Sequence, residues 1–372
     1  MSSSTVQIPY VNMGAQWEED RKELLPIIDK ILSSGQYVGG TEIDKFEEDI
    51  AKYCQVKYAV ALNSGTDALI MALDLLGVGP GDEVITPPNS FIASTAVIIH
   101  RGARPVFVDV LPNQNIDPDK IESAITSKTK AIMPVHLTGR VCEMDSIMEI
   151  ADKHGLSVVE DAAQAIGSKY KGKPSGSIGH VGCFSTHPLK NLNACGDGGF
   201  MTTNDEKIYL KARAIRNHGM ANRNNVNQFG YVSRMDNLQA AILNYRLQRL
   251  DVIIDKRRKN AQSYFEAINA AEILLPIENN HEFNTYHTFV IQVEKRDELK
   301  GRLLNQGIET AIHYPIPIHL QPAAKSLGYK LGDFPVTEKQ SGMILTLPIN
   351  QFLKDSAYHI SDKINKYYRV QR

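Results

Sequence analysis

The chain has only four cysteines, Cys54, Cys142, Cys183 and Cys195, and no two of them form a CxxC pair. That excludes a zinc framework and a disulfide scaffold. No apolar run approaches the ~20 residues needed to span a bilayer, so no membrane partner is expected. No basic start followed by an apolar stretch marks a secretory leader. A reducing, cytoplasmic setting follows as the expectation. Net charge is equally scarce, at −1, so the electrostatic case for nucleic acid is missing. The one dense basic run, Lys256-Arg257-Arg258-Lys259, sits among acids and apolar residues and reads as the solvated face of a helix. There is no P-loop, no GxGxxG and no HExxH. His136, His187, His218, His313 and His319 are scattered without metal-ligand spacing, so no metal is expected. Cys195 lies near Lys190, but no histidine is placed by sequence to activate it as a nucleophile.

What remains is an ordinary globular composition, 42% hydrophobic and 22% charged. At 372 residues the chain is too long for one core and suits two. Seven short runs read as buried strands: Tyr58–Leu62, Glu83–Thr86, Pro105–Val110, Ala131–Val135, Leu156–Glu160, Gly182–Thr186 and Gly199–Thr203. Helical patterns fall among them, at Asp67–Leu76, Ser94–His100, Pro118–Ile125 and Met144–His154. Alternation of this kind predicts an α/β fold with a mostly parallel seven-stranded sheet flanked by helices. Arg234–Ile268 has helical periodicity without proline and reads as one long helix leaving the large domain. A strand at Thr288–Val293 and a helix near Asp297–Gln306 then suggest a smaller α+β domain. The expected division is 1–250 and 251–372.

Several segments carry chemistry, each beside a plainer reading. Asn63-Ser64-Gly65-Thr66-Asp67 follows a strand and opens a helix, which suits a phosphate or a simple Ser/Thr cap. Asp161 ends a strand, where open parallel sheets bind ligands; it suits a cationic ring nitrogen or a helix N-cap. Gln164 follows as a donor to a phenolic oxygen. Phe91, after Pro87-Pro88-Asn89-Ser90, suits stacking on a ring or core packing. Lys190 lies among Pro, Asn, Cys and Gly, off any charged helix. An amine there, with its pKa lowered by desolvation, suits a carbonyl cofactor.

The ordered set Ser64-Gly65-Thr66-Asp67-Ala68-Leu69, Gly81-Asp82-Glu83-Val84-Ile85, Pro134-Val135-His136-Leu137, Glu160-Asp161-Ala162-Ala163-Gln164, Lys190-Asn191-Leu192 and Arg216-Asn217-His218-Gly219 resembles the DegT/DnrJ/EryC1/StrS sugar aminotransferases. The likeness runs from about Ile8 to Pro348. It implies a fold-type I enzyme using pyridoxal 5'-phosphate, with Lys190 as its Schiff-base lysine. Asp161 then faces the ring nitrogen and Gln164 the ring hydroxyl. Gly65, Thr66 and Ser185 cradle the phosphate, and Phe91 stacks on the ring. His187, Tyr314 and His319 are candidate substrate contacts.

The implied reaction moves an amino group from an amino acid, by family habit L-glutamate, to a nucleotide-linked keto-sugar. Its product would be an amino sugar of a surface polysaccharide or glycosylated metabolite. A homodimer is implied as well. A sugar dehydratase on the same cofactor and a non-catalytic regulator are the alternatives, and Lys190 argues against the histidine-bearing dehydratases. Two departures stand out. Val232 occupies the position where the family often has an Asn that reaches the partner subunit's phosphate site. Thr138-Gly139-Arg140 replaces a frequent Tyr-Gly-Gln.

Overall fold

The computed structural model describes residues 7–371. Seven strands form the central sheet: β1 Tyr58–Leu62, β2 Glu83–Thr86, β3 Arg104–Phe107, β4 Thr129–Ile132, β5 Ser157–Asp161, β6 Val181–Ser185 and β7 Gly199–Thr203. Their order is β1-β7-β6-β5-β4-β2-β3. Only β7 runs against its neighbours, β1 and β6; the other pairs are parallel. Val60, Leu62, Ile85, Ala131, Ile132, Val158 and Val159 are all fully buried. Such near-continuous apolar strands need cover on both faces, and helices supply it.

The helices are α1 Met13–Ser34, α2 Thr41–Tyr53, α3 Gly65–Leu75, α4 Ile92–His100, α5 Met144–His154 and α6 Glu206–Ile215, followed by α7 Asn237–Leu247, α8 Leu250–Ala267, α9 Arg296–Asn305, α10 Pro335–Met343 and α11 Ser356–Gln371. A second, antiparallel sheet joins β8 Ile273–Leu274, β9 Phe289–Val293 and β10 Ile344–Leu347 in the order β8-β9-β10. It shares a separate core with α8, α9 and α11, built on Tyr264, Phe289, Ile291, Leu299, Leu345 and Ile364. The seven strands read from the sequence all form, and the mostly parallel α/β architecture with a smaller α+β unit stands. Among the described residues no helix is long and apolar enough to cross a membrane.

Two expectations about helix extents need correction. Arg234–Ile268 is two helices, α7 and α8, broken at Gln248–Arg249. No proline or glycine marks the break. The two helices belong to different packing layers: α7 lies on α1 and α2, whereas α8 packs on α11. Tertiary packing overrides local propensity there. Pro118–Ile125 is not an α-helix but two short 3₁₀ turns, Pro118–Lys120 and Glu122–Ala124.

The sheet ends are tied by buried polar networks. Arg216 donates to the carbonyl of Ala61 at 2.8 Å and pairs with Glu47, whose carboxylate accepts from the Ala61 N–H at 2.8 Å. This fixes the end of β1. At the end of β5, Glu160 is fully buried. It accepts from the N–H groups of Gly176, Ile178 and Gly179 at 2.8, 2.8 and 2.6 Å. His136 Nε2 lies 2.9 Å from the same carboxylate, while its Nδ1 accepts from the Cys142 N–H at 3.2 Å. With Nδ1 an acceptor, Nε2 carries the hydrogen and donates to Glu160.

Burial alone would raise the Glu160 pKa, but the His136 hydrogen bond, with the Gly179 and Gly176 N–H groups, brings it below the ordinary 4.5. A carboxyl with a depressed folded pKa stabilises the fold above its unfolded pKa and loses that contribution as pH falls. Glu160→Gln should therefore lower stability at neutral pH by about 3–5 kcal/mol, read from the urea midpoint. The variant should also lose stability less steeply than the wild type as pH drops below 4.5.

Candidate active site

The carboxyl ends of parallel strands converge on one edge of the sheet, the edge where open α/β sheets bind ligands. Gly65 and Thr66 follow β1, Phe91 follows β2, Asp161 ends β5 with Gln164 just beyond, and Ser185 ends β6 with Lys190 in the next turn. Strands β1 and β6, with β7 between them, thus bring residues 125 positions apart (190 minus 65) to the same edge.

Asp161 is buried and caps no helix; the chain turns after it. Its carboxylate accepts from Ser94 Oγ at 2.7 Å and from the Ala163 N–H at 3.2 Å. Burial raises its pKa, and these two bonds with the charge of Lys190 pull it back only in part. Lys190 shows the converse. The residue keeps some exposed surface, but its amine end is desolvated, which lowers its pKa to about 8 against the attraction of Asp161. An acid pushed up and an amine pushed down, each through desolvation, mark a site prepared for charge it does not itself supply.

The turn carrying Lys190 is held from three sides. Lys190 N–H donates to the His187 carbonyl at 2.8 Å. Asn193 Nδ2 donates to the Pro188 carbonyl at 2.6 Å and to Gln16 Oε1 of α1 at 3.0 Å. Arg246 of α7 donates to the Asn193 carbonyl at 2.7 Å and also pairs with Asp20 of α1 at 3.1 Å. Asn191 Nδ2 reaches the Thr285 carbonyl at 3.3 Å. Gln16, Asn193 and Arg246 are all buried. No single-residue signal pointed to them, since each serves through a contact distant in sequence.

At the other end, the start of α3 is pressed onto the sheet. A Cβ on Gly65 would lie 2.7 Å from Ser185 Cβ, and one on Gly199 would lie 2.3 Å from the Ser64 carbonyl carbon. Only glycine permits this approach. Ser64 caps α3 by accepting from the Asp67 N–H at 3.0 Å, so the cap reading holds at Ser64 itself. Gly65 and Thr66 start α3, where backbone N–H groups lack intrahelical partners. Ser185 Oγ accepts from the His187 N–H at 3.3 Å.

Gln164 Oε1 accepts from the Thr138 N–H at 2.8 Å. The Thr138-Gly139-Arg140 segment gains a structural account here. Arg140 bridges to Glu282 at 2.6 Å in a buried pair, and Thr138 turns through a left-handed φ of 65° to meet Gln164. Phe91 is 55% exposed, which rules out core packing, and its ring lies 5.7 Å from that of Tyr314. Tyr314 is pushed up to about 12 by burial and then by the charge of Asp161, so it shares the site. His187 is exposed and its Nδ1 accepts from the Leu189 N–H at 3.3 Å. His319 stands apart. It is buried against Phe334, with ring centroids 4.7 Å apart, and bonds Glu338 at 3.0 Å.

Val232 is 56% exposed, and Ser233 beside it is committed internally, donating to Asp67 at 2.7 Å. His313, considered from the sequence only for metal spacing, and His287, not named there, join the cluster. Desolvation and then the charge of Lys190 lower His313 to about 4 and take His287 well below its usual range.

These features bear on an aldehyde-bearing pyridine phosphate. A desolvated carboxylate is short of a cation, a partly neutral amine lies near it, and a glycine-permitted helix start offers free N–H groups. The residues present fit such a group. A concavity of about 640 Å³, lined by Leu111, Thr138, Ile273 and Val290 among others, includes none of Gly65, Asp161 and Lys190.

Comparison with known proteins agrees with this geometry. The DegT/DnrJ/EryC1/StrS aminotransferase family matches residues 18–365. A Geobacillus stearothermophilus protein named "Pleiotropic regulatory protein" is 42% identical over 369 residues, covering 98% of this chain and 99% of its own. The dTDP-3-amino-3,4,6-trideoxy-alpha-D-glucose transaminase of Streptomyces venezuelae is 39% identical, covering 98% and 97%. The crystal structure of S. venezuelae DesV in complex with a ketimine intermediate superposes with a TM-score of 0.96 at 39% identity, covering 98% of this chain and 99% of that one. On its sequence, its fold and the arrangement around Lys190, this chain belongs to the DegT/DnrJ/EryC1/StrS aminotransferase family.

Proposed function

We propose that the chain is a pyridoxal 5'-phosphate-dependent aminotransferase that moves an amino group from an amino acid, L-glutamate by preference, to a keto-sugar carried on a nucleotide. The observation that carries this reading is the dry pair of Asp161 and Lys190, with the amine at a pKa of about 8. A regulator needs neither a desolvated amine nor a desolvated acid beside it. The names of the transaminase relatives support a nucleotide sugar as the substrate class.

When bound, the cofactor supplies an aldehyde that takes up the amino group and a ring that accepts electron density from the substrate carbon. Each residue then has a definite task. Lys190 would hold the aldehyde carbon, and its free amine would take and return a proton. With a pKa near 8, about a tenth of that amine is neutral at pH 7, enough to act as a base. Asp161 keeps the ring nitrogen protonated, and the buried position makes its charge act at high strength. Ser94 and the Ala163 N–H hold both carboxylate oxygens in place. Gln164, positioned by Thr138, orients the ring hydroxyl. Gly65, Thr66 and Ser185 hold the phosphate, Phe91 covers a ring face, and Tyr314 and His187 face the incoming sugar. The active unit in this reading is a homodimer.

Lys190→Ala should lower turnover by about 1,000-fold or more and abolish a borohydride-fixed cofactor adduct, checked by mass spectrometry of the intact protein. Full turnover with an adduct still formed would end the assignment. Asp161→Asn should slow both halves of the transfer by about 100- to 1,000-fold in stopped-flow absorbance. Gly199→Ala, which drives a methyl into the start of α3, should weaken cofactor binding by about 10-fold or more in a fluorescence titration. In each case release of a 2-oxo acid together with an aminated sugar nucleotide is the assay that separates transamination from dehydration.

A further inference from the structure

Arg257 does not lie on the solvated helix face expected for Lys256-Arg257-Arg258-Lys259. It points from α8 into the protein and is only 6% exposed. Its Nη1 donates to the carbonyls of Tyr286 at 3.1 Å and His287 at 3.2 Å. Among the described residues its buried Nε has no hydrogen-bond partner, and neither has Nδ1 of His287. A buried cation bound only to neutral carbonyls is costly unless an anion joins it.

These groups share a small cavity of about 40 Å³ with Tyr10, Val11, Leu189 and His313. Among the described residues no carboxylate lines it. Glu309, which reaches the lining residue Tyr10, is already engaged with the Tyr10 N–H at 2.9 Å. Desolvation lowers the Arg257 pKa to about 10. His287 is lowered by desolvation first and then by Lys190, Arg257, His313 and His187, so these basic groups act on one volume. The cavity therefore adjoins the Lys190 turn, is electropositive through Arg257, and holds a guanidinium N–H without an acceptor beside an unpartnered imidazole nitrogen.

The geometry points to Arg257, with His287 and Tyr10, as the seat for a carboxylate of the amino-acid donor. This deepens the aminotransferase reading and rests on it. The fixed fork of guanidinium donors suits a planar carboxylate, and the position beside Leu189 sets the donor's amino group near the turn that carries Lys190. Both the α-carboxylate and the side-chain carboxylate of L-glutamate have this chemistry.

The test uses the holoenzyme. Glutarate, a carboxylate probe without an amino group, is titrated calorimetrically beside UDP and dTDP. Conversion of the cofactor by L-glutamate is followed by stopped-flow absorbance. In Arg257→Gln, glutarate affinity and the L-glutamate concentration dependence should weaken by about 30- to 100-fold, while the nucleotide that the wild type binds holds within two-fold. Arg257→Lys should recover part of the loss. Should Arg257→Gln fail to fold, Val11→Asp places a competing carboxylate in the cavity without touching the carbonyls that Arg257 holds, and it should weaken glutarate alone.

Comparing L-alanine with 4-aminobutyrate as donors distinguishes the two carboxylates. Loss of L-alanine conversion in Arg257→Gln assigns the α-carboxylate. Loss of the preference for L-glutamate over L-alanine assigns the side chain. Unchanged glutarate binding, or an equal loss of nucleotide binding, overturns the inference. If no amino acid converts the wild-type cofactor, the aminotransferase reading itself falls. If the wild type converts but Arg257→Gln is unimpaired, only the role of Arg257 falls.

Discussion

The desolvated carboxylate of Asp161 is the constraint around which the rest of the site is arranged. A charge at the end of a buried strand is expensive, and its raised pKa records that expense. Ser94 and the Ala163 N–H reduce it, and Lys190 reduces it further at a distance. The preceding residue, Glu160, is stitched to Gly176, Ile178, Gly179 and His136. Strand alternation sends Glu160 to one face of the sheet and Asp161 to the other. One residue therefore anchors the strand end, and its neighbour is held ready for a ligand.

Lys190 depends on the same logic from the opposite sign. Its amine is useful because it is dry, and a dry amine stays in place only if its turn is rigid. Asn193, Gln16 and Arg246 supply that rigidity by joining the turn to α1 and α7. The break between α7 and α8 belongs to this arrangement. It lets α7 lie on α1 and α2 while α8 turns toward the smaller core and carries Arg257 inward. The helix start at Gly65 depends in turn on Gly199, since any side chain there would push α3 off the sheet. At the neighbouring Val232 the side chain is exposed and apolar, and Ser233 is spent on Asp67. In the proposed reading, this chain's own contribution to a phosphate site is the α3 start with Ser185.

Much of this was legible from the chain alone. All seven strands, the α/β class and the positions of Gly65, Asp161 and Lys190 at strand ends follow from periodicity and turn residues. The readings that failed share one cause. Arg234–Ile268 has unbroken helical periodicity, but periodicity does not tell which layer each half packs on. Lys256-Arg257-Arg258-Lys259 looks like a solvent face because composition cannot say which of four adjacent cations turns inward. His319 looked like a substrate contact from its place after Tyr314, but its ring is sealed between Phe334 and Glu338.

The sequence by itself determined the local chemistry: an acid ending one strand, an amine in a turn of small residues, and a glycine opening a helix. Those properties are short-range, set by backbone sterics and side-chain type. Only the tertiary structure decided which of these groups lose water and which acquire partners. The shifts of Asp161 and Lys190, the inward turn of Arg257 and the unpartnered nitrogens of Arg257 and His287 all arise from contacts between residues far apart in the chain. Desolvation is a property of that packing, and no short window of sequence contains it.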